Sequence, residues 1–232
     1  MTLAIKRVLD ISGSLAGLIV LSPLLLALSL LVKRTVGRPI FFCQVRAGQD
    51  GRPFRLWKFR TMTDAKDSSG RLLPDDQRLT KLGSFLRIYS LDELPQLINV
   101  LVGDMSLVGP RPLLVRYVHR YNERQKLRLT VKPGITGLAQ VNGRNTLDWS
   151  ERLELDAVYA ERVSLFLDLQ LLLLTLWKVA ARDGQGPSAG RDLVQEEFWG
   201  TPNKPAVGAG ASPVEKQESL RTQAGIGAKQ IR

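Results

Sequence analysis

From Ile11 to Val32 the chain carries no charged residue, and basic pairs bracket the run, Lys6-Arg7 before it and Lys33-Arg34 after it. At about 1.5 Å per residue, a helix of that length matches the hydrocarbon core of a bilayer. Basic residues at both ends draw both flanks to the cytoplasm, which a straight span cannot satisfy and a segment that dips into one leaflet and returns can. Ser22-Pro23 stands at the middle of the run. Pro23 has no amide to give to the carbonyl of Ile19, so the helix is expected to break there, and the Ser22 hydroxyl can bond a carbonyl of the preceding turn. The pattern predicts a re-entrant membrane helix-break-helix over residues 1–35, with Ser22 and Pro23 as the membrane break. Two alternatives use the same residues. One is an ordinary span with a proline kink; the other is a signal peptide cleaved near Ala27-Leu28-Ser29, which would strand Leu30-Leu31-Val32 on the mature terminus.

Further along, Phe41 to Met62 reads as a strand hairpin with Asp50-Gly51 as its turn and Phe54, Leu56 and Lys58 alternating after it. Asp64 to Gln77 is polar with Gly and Pro, a loop able to close over a bound substrate. Leu94, Leu97, Ile98 and Leu101 recur at i, i+3, i+4 and i+7, an amphipathic helix in which Pro95 is tolerable only in the first turn. Glu151 to Arg162 is a helix rich in i, i+4 charges, with Asp156 and Tyr159 on one face. Leu165 to Ala181 is dense in leucine but interrupted by Asp168 and Gln170, too short and too polar to span. It reads as an interfacial helix with Trp177 and Lys178 at headgroup level, or as a buried core helix. Residues 184–232 are rich in Gly, Pro, Ala and Lys and read as a largely disordered basic tail. The expected fold is α/β, mostly helical with a small β-hairpin: a compact cytosolic catalytic domain over 36–183, carried by the re-entrant helix and amphipathic interfacial helices.

Thirty-three Lys and Arg against 22 Asp and Glu give a net charge of +11, which favours a polyanionic partner: nucleic acid, an anionic membrane face or a phosphorylated substrate. A single cysteine, Cys43, excludes an internal disulfide and a cysteine-rich zinc site. A single histidine, His119, leaves little room for a histidine metal cage or a Ser-His-Asp triad. Both are read as structural.

The candidate chemistry lies at Asp92 and Glu93, adjacent carboxylates where the helix after Ser90 begins. On spacing alone the simpler role is capping, since Ser90-x-x-Glu93 fits a capping box and Asp92 could itself be the N-cap. The surroundings favour a second role. Arg87 stands just before, and Gly109-Pro110-Arg111-Pro112 just after, in the kind of Gly/Pro turn that holds anions. A carboxylate pair beside anion-binding groups suggests a divalent metal and a phosphate. The turn Pro133-Gly134-Ile-Thr-Gly137 and the later Gly143-Arg144-Asn145 place amides and a guanidinium where a diphosphate or nucleobase could be gripped.

Four segments in order, Lys58-Phe-Arg-Thr-Met, Ser90-Leu-Asp-Glu-Leu-Pro-Gln, Gly109-Pro-Arg-Pro and Lys132-Pro-Gly-Ile-Thr-Gly, behind an apolar N-terminal run, resemble the bacterial sugar transferase family, the monotopic phosphoglycosyl transferases. The resemblance covers about Lys6 to Asp183. It implies transfer of a sugar-1-phosphate from a UDP-sugar to undecaprenyl phosphate at the cytoplasmic face of the bacterial inner membrane, the first step of a lipid-linked glycan such as an exopolysaccharide. It casts Asp92 as the nucleophile that forms an aspartyl phosphosugar and releases UMP, and Glu93 as a Mg²⁺ ligand. Arg111, with Arg87 and Lys58, would hold phosphate oxygens, Lys58 and Arg60 would form a wall of the site, and Asp156 would stand near the metal or nucleotide. A helix N-terminus would keep Asp92 ionised. The alternative is a membrane-anchored basic adaptor for anionic lipid or nucleic acid, with the carboxylates only capping a helix. Basic residues clustered at Gly/Pro turns, and aromatics at only 6%, argue against nucleic acid, which favours a basic stripe with interleaved aromatics.

Overall fold

The apolar run folds as α1 (Thr2–Val20) and α2 (Ser22–Thr35), bent by 63° at Leu21 in the computed structural model, which describes residues 2–143, 147–181 and 198–200. The break falls at the predicted place for the predicted reason. Pro23 lies in the first turn of α2, where a missing amide is harmless, and the carbonyl of Ile19 accepts instead from Ser22 Oγ at 2.7 Å. No single helix among the described residues is long and apolar enough to cross a membrane, whereas this bent pair is so when taken together.

One side of α1 is exposed leucine, isoleucine and valine, including Ile5, Val8, Leu15 and Ile19. The other side is polar and packed. Arg7 donates to the carbonyls of Val100 and Leu101, and Asp10 accepts from Ser106 Oγ and the Leu107 amide, each at 2.9 Å. Lys6 pairs with Asp168 and donates to the Val108 carbonyl. Leu28 and Val32 of α2 join Val36, Phe59 and Leu86 in one core cluster.

The hairpin consists of β1 (Phe41–Ala47) and β2 (Pro53–Phe59), antiparallel with Phe41 opposite Phe59. Its turn uses Asp50 at φ 56° and Gly51 at φ 73°, residue types that tolerate the left-handed region. The polar segment that follows contains a bridge between Lys66 and Leu72 and the short α3 (Asp75–Arg78). Next comes α4 (Lys81–Ile88), capped by Thr80, whose hydroxyl accepts from the Gly83 amide at 2.9 Å.

Pro95 marks the first departure from the predicted pattern. The amphipathic helix, α5 (Gln96–Val102), begins only after it, and Leu91–Glu93 form a separate 3-10 turn. Asp92 and Glu93 therefore precede the helix instead of opening it.

A second departure lies at residues 133–137. Gly134–Thr136 are not a turn but a short strand, β4, which pairs in parallel with β3 (Ser106–Val108), Ser106 opposite Gly134 and Val108 opposite Thr136. The pairing depends on glycine. A Cβ on Gly134 would meet the Gly109 amide nitrogen at 2.0 Å, and one on Gly109 would meet the Lys132 carbonyl oxygen at 2.3 Å.

Beyond the sheet lie α6 (Glu123–Lys126), α7 (Leu138–Asn142), α8 (Trp149–Glu161) and α9 (Leu165–Ala181). α9 is two-faced: Asp168 and Leu171 are buried, while Phe166, Leu169, Leu173, Leu176 and Trp177 are exposed. Each of the two readings of this segment fits one side of it. Of the predicted tail, 184–197 and 201–232 lie outside the described residues, and Phe198–Gly200 are packed against the domain. The result is a mostly helical α/β structure with two small sheets.

Candidate active site

Three elements bring the carboxylates and cations together. Two residues past the end of α4, Ser90 adopts the left-handed conformation at φ 54°, unusual for a residue with a Cβ. Its side chain makes no cap bond, so the capping box expected from Ser90-x-x-Glu93 does not form, and the turn is closed by the backbone, Glu93 amide to Ser90 carbonyl at 3.2 Å. β2 supplies Lys58. Buried Asn99 of α5 fixes that strand, accepting from the Trp57 amide at 3.1 Å and donating to the Arg55 carbonyl at 2.7 Å. Arg111 follows directly from β3 through Gly109-Pro110.

Lys58 Nζ stands 2.8 Å from Glu93 Oε1 and 3.8 Å from Asp92 Oδ2. Arg111 grips Glu93 with both terminal guanidinium nitrogens, Nη2 at 2.6 Å and Nη1 at 3.3 Å, the fork geometry that makes arginine–carboxylate pairs strong. The neighbours are thus electrostatically unlike. Burial opposes ionisation of Glu93, but Arg111 and Lys58 more than offset it and hold its carboxyl well below the usual range. Burial pushes the Asp92 carboxyl up to about 6, with Lys58 pulling it down, Glu93 pushing it up and the charges of Arg87 and Arg111 pulling down. The expectation that a helix N-terminus holds Asp92 ionised is corrected: Asp92 sits in a buried 3-10 turn ahead of the helix, and desolvation dominates.

The other expected site residues fall at different distances from this centre. Arg87 donates to Thr61 Oγ1 at 3.1 Å, and its charge reaches Asp92. Arg60 is engaged at the hairpin's end, with the carbonyls of Met62 and Arg38 and with Asp64. Gly134 uses its amide on the Pro110 carbonyl at 2.9 Å, and Gly137 packs on the Gly109 carbonyl, where a Cβ would come within 2.2 Å. Both glycines shape the loop that carries Arg111. Asp156 is buried with Arg128, whose Nε and Nη2 lie 3.1 and 3.0 Å from its Oδ2; burial pushes its carboxyl up and Arg128 pulls against that. The pair meets the centre indirectly, because Arg128 Nη2 also donates to the Arg111 carbonyl at 2.6 Å. Arg144 lies outside the described residues.

Arg128, Asn99 and the Lys6–Asp168–Tyr159 group escaped the sequence reading. Tyr159 donates to Asp168 at 2.6 Å and stands 3.1 Å from the Val108 carbonyl, one residue before the Gly109-Pro-Arg-Pro loop. Spacing places Tyr159 on one helix face with Asp156 and marks Asp168 as a polar interruption, but nothing in the sequence joins these residues to one another or to the site, so only the fold reveals the contacts.

Among the described residues no three His, Cys, Asp or Glu side chains converge as a metal cage. The donor set at the centre, two hard carboxylates, suits a Mg²⁺ shared with phosphate oxygens and water, the way this ion is commonly bound at phosphoryl-transfer sites.

The sequence model described as "Bacterial sugar transferase" matches residues 1–182. The chain belongs to the bacterial sugar transferase family. Within that family it is 52% identical over 180 residues to "Uncharacterized sugar transferase EpsL" of Bacillus subtilis (strain 168), covering 78% of this chain and 89% of the relative. It is 38% identical over 196 residues to "Exopolysaccharide production protein ExoY" of Sinorhizobium fredii (strain NBRC 101917 / NGR234), covering 77% and 87%. It is 47% identical over 183 residues to the "UDP-glucose:undecaprenyl-phosphate glucose-1-phosphate transferase" of Klebsiella pneumoniae, covering 75% of this chain but 39% of that longer protein. All four motif segments of this bacterial sugar transferase fall inside the matched region; Phe198–Gly200 fall beyond it.

Proposed function

We propose that the protein transfers a sugar-1-phosphate from a UDP-sugar to undecaprenyl phosphate in two steps through Asp92, releasing UMP. The observation that carries this reading is the pairing of a buried, weakly stabilised carboxylate, Asp92, with a neighbour, Glu93, held by Lys58 and Arg111. The name of the Klebsiella pneumoniae relative specifies the same kind of donor and the same acceptor for that protein.

Donor and acceptor are both anions, and a covalent intermediate lets each approach the enzyme in turn. In the first step an Asp92 carboxylate oxygen attacks the phosphorus bearing the sugar. The bond from that phosphorus to the bridging oxygen breaks, its electrons leave with UMP, and an acyl phosphate joins Asp92 to the sugar phosphate. In the second step an oxygen of the lipid phosphate attacks the same phosphorus, the acyl–phosphate bond breaks, and the Asp92 carboxylate returns. Lys58 and the half-exposed Arg111 supply positive charge where phosphate oxygens gather, in a site already removed from water. Mg²⁺, held through Glu93, would neutralise diphosphate charge when bound. Asp92 is well suited to attack because Glu93 takes the strong cation contacts and leaves it weakly held.

The bent α1–α2 pair, with leucine exposed on both helices and isoleucine on α1, is read as the re-entrant anchor in the cytoplasmic leaflet of the inner membrane. The exposed face of α9 would rest at the same surface. The adaptor alternative loses its premise, since neither carboxylate caps a helix.

The test is UMP release by the purified, detergent-solubilised protein from a panel of UDP-sugars, with and without Mg²⁺ and undecaprenyl phosphate. Lipid-dependent UMP from one donor, with an intact-mass adduct of one sugar phosphate on the chain when lipid is omitted, supports the reading. UMP release without any adduct in quenched samples would argue for direct transfer instead.

A further inference from the structure

Beyond residues 1–182, which the family model matches, Phe198 is buried at 2% exposure in one cluster with Leu113, Tyr117, Tyr121, Leu153 and Trp149. Its ring centroid lies 5.3 Å from Trp149 and 5.8 Å from each of Tyr117 and Tyr121. Two further contacts seat the segment. Arg120 donates to the Phe198 carbonyl, and the same guanidinium lies 4.8 Å over the Trp199 ring, while a Cβ on Gly200, at φ 101°, would closely approach the Arg120 carbonyl. Aromatic faces and a cation over indole make this a specific seat, not a loose apolar contact.

The walls of that pocket are the back of the catalytic centre. Leu113 is two residues from Arg111. The Tyr121 hydroxyl accepts from Arg128 Nη1 at 3.0 Å, and the Arg128 guanidinium lies 5.4 Å over the Tyr121 ring. Arg128 then donates to the Arg111 carbonyl, and Arg111 grips Glu93. Tyr121 thus touches both Phe198 and the arginine that fixes the Arg111 backbone.

We propose that Phe198 is a positioning residue for the transfer reaction: by filling this pocket it holds Tyr121 and Arg128 where they fix Arg111 against Glu93. The inference rests on the catalytic reading of the Asp92–Glu93 centre. A ligand clamp displaced by about 1 Å can lose about a hundredfold in rate without losing fold, and smaller displacements lose less.

The experiment compares the full chain with Phe198→Ala, Phe198→Leu and Tyr121→Phe, the last removing only the hydroxyl that holds Arg128. At a temperature well below every variant's melting point, Phe198→Ala and Tyr121→Phe are expected to lower kcat/KM for the UDP-sugar about tenfold or more, and Phe198→Leu to recover part of it. Combined with Arg111→Lys, Phe198→Ala should cost little further, because both changes act through one group. Hydrogen exchange at the backbone of residues 109–114 should speed up in Phe198→Ala. A lowered melting temperature with unchanged kcat/KM and unchanged exchange at 109–114 would show that Phe198 only adds stability and overturn the inference. So would fully multiplicative losses in the Arg111→Lys background. If the wild-type chain transfers from no donor, the catalytic reading fails on its own terms, and the exchange rates at 109–114 still decide whether Phe198 positions the Arg111 loop.

Discussion

Asp92 and Glu93 are adjacent in the chain and yet have opposite surroundings, because successive side chains in a 3-10 turn point about 120° apart. Glu93 meets two cations; Asp92 meets mainly desolvation. Environments that push two carboxyls apart are a recurrent way of dividing catalytic roles. Asp92→Asn removes the proposed nucleophile and is expected to lower UMP release by about a thousandfold or more. It should not lower the melting temperature, because it replaces a buried ionisable group by a neutral one of the same shape; retained turnover in that variant would rule out the nucleophile. Glu93→Gln leaves Lys58 and Arg111 facing a neutral amide. We expect turnover to fall about tenfold to a hundredfold and the Mg²⁺ concentration for half-maximal rate to rise, since the removed charge anchors Arg111 and, in the proposed mechanism, would hold the metal. Chelation with EDTA should stop the wild-type reaction, and added Mg²⁺ should restore it. A Glu93→Gln enzyme with an unaltered Mg²⁺ titration would remove Glu93 from the metal.

At the scale of elements, the site depends on how closely backbones approach. Gly134 of β4 packs on Gly109, so Gly134→Ala forces a Cβ against main chain with no flexible group to yield, and a loss of about 3 kcal/mol or more is expected in thermal melts. Gly70 provides the contrast. It has φ 79° but open space around it, so Gly70→Ala should cost only about 1–2 kcal/mol of backbone strain. Equal losses at the two positions would show that the β3–β4 contact is looser than these distances imply. The same contrast explains what could be read in the sequence. The Ser22-Pro23 break and the Asp50-Gly51 hairpin were legible because each rests on the chemistry of two consecutive residues. The β3–β4 ladder was not, since three-residue parallel strands far apart in the chain have no periodicity to detect. Pro95 misled in a subtler way, delaying the helix past Glu93 and moving both carboxylates into a turn of their own. Lys58, Asp92, Glu93 and Arg111 were legible as motif residues, whereas Arg128, Asn99 and Phe198 act through partners that only the fold brings near.

At the scale of the whole molecule, one buried ion pair constrains the topology. Lys6, near the start of α1, pairs with Asp168 of α9, and Arg7 donates to the last turn of α5. The first turns of α1 are therefore fastened to the same body that carries Lys58, Glu93 and Arg111. If the bent pair enters a bilayer, the chain before the bend and the domain after it cannot lie on opposite sides without breaking these contacts and leaving the buried Asp168 carboxylate without its cation. A return to the starting face is the arrangement consistent with them. Cys43 is the single cysteine and is exposed on β1, which makes the topology measurable with the native thiol. A membrane-impermeant maleimide should label Cys43 in inside-out inner-membrane vesicles and not in right-side-out spheroplasts. In a Cys43→Ser background, a cysteine substituted at exposed Leu3 should show the same sidedness. Labelling of the two positions from opposite faces would mean that α1 and α2 cross the membrane as one kinked span, and that the Lys6–Asp168 pair does not exist in the bilayer.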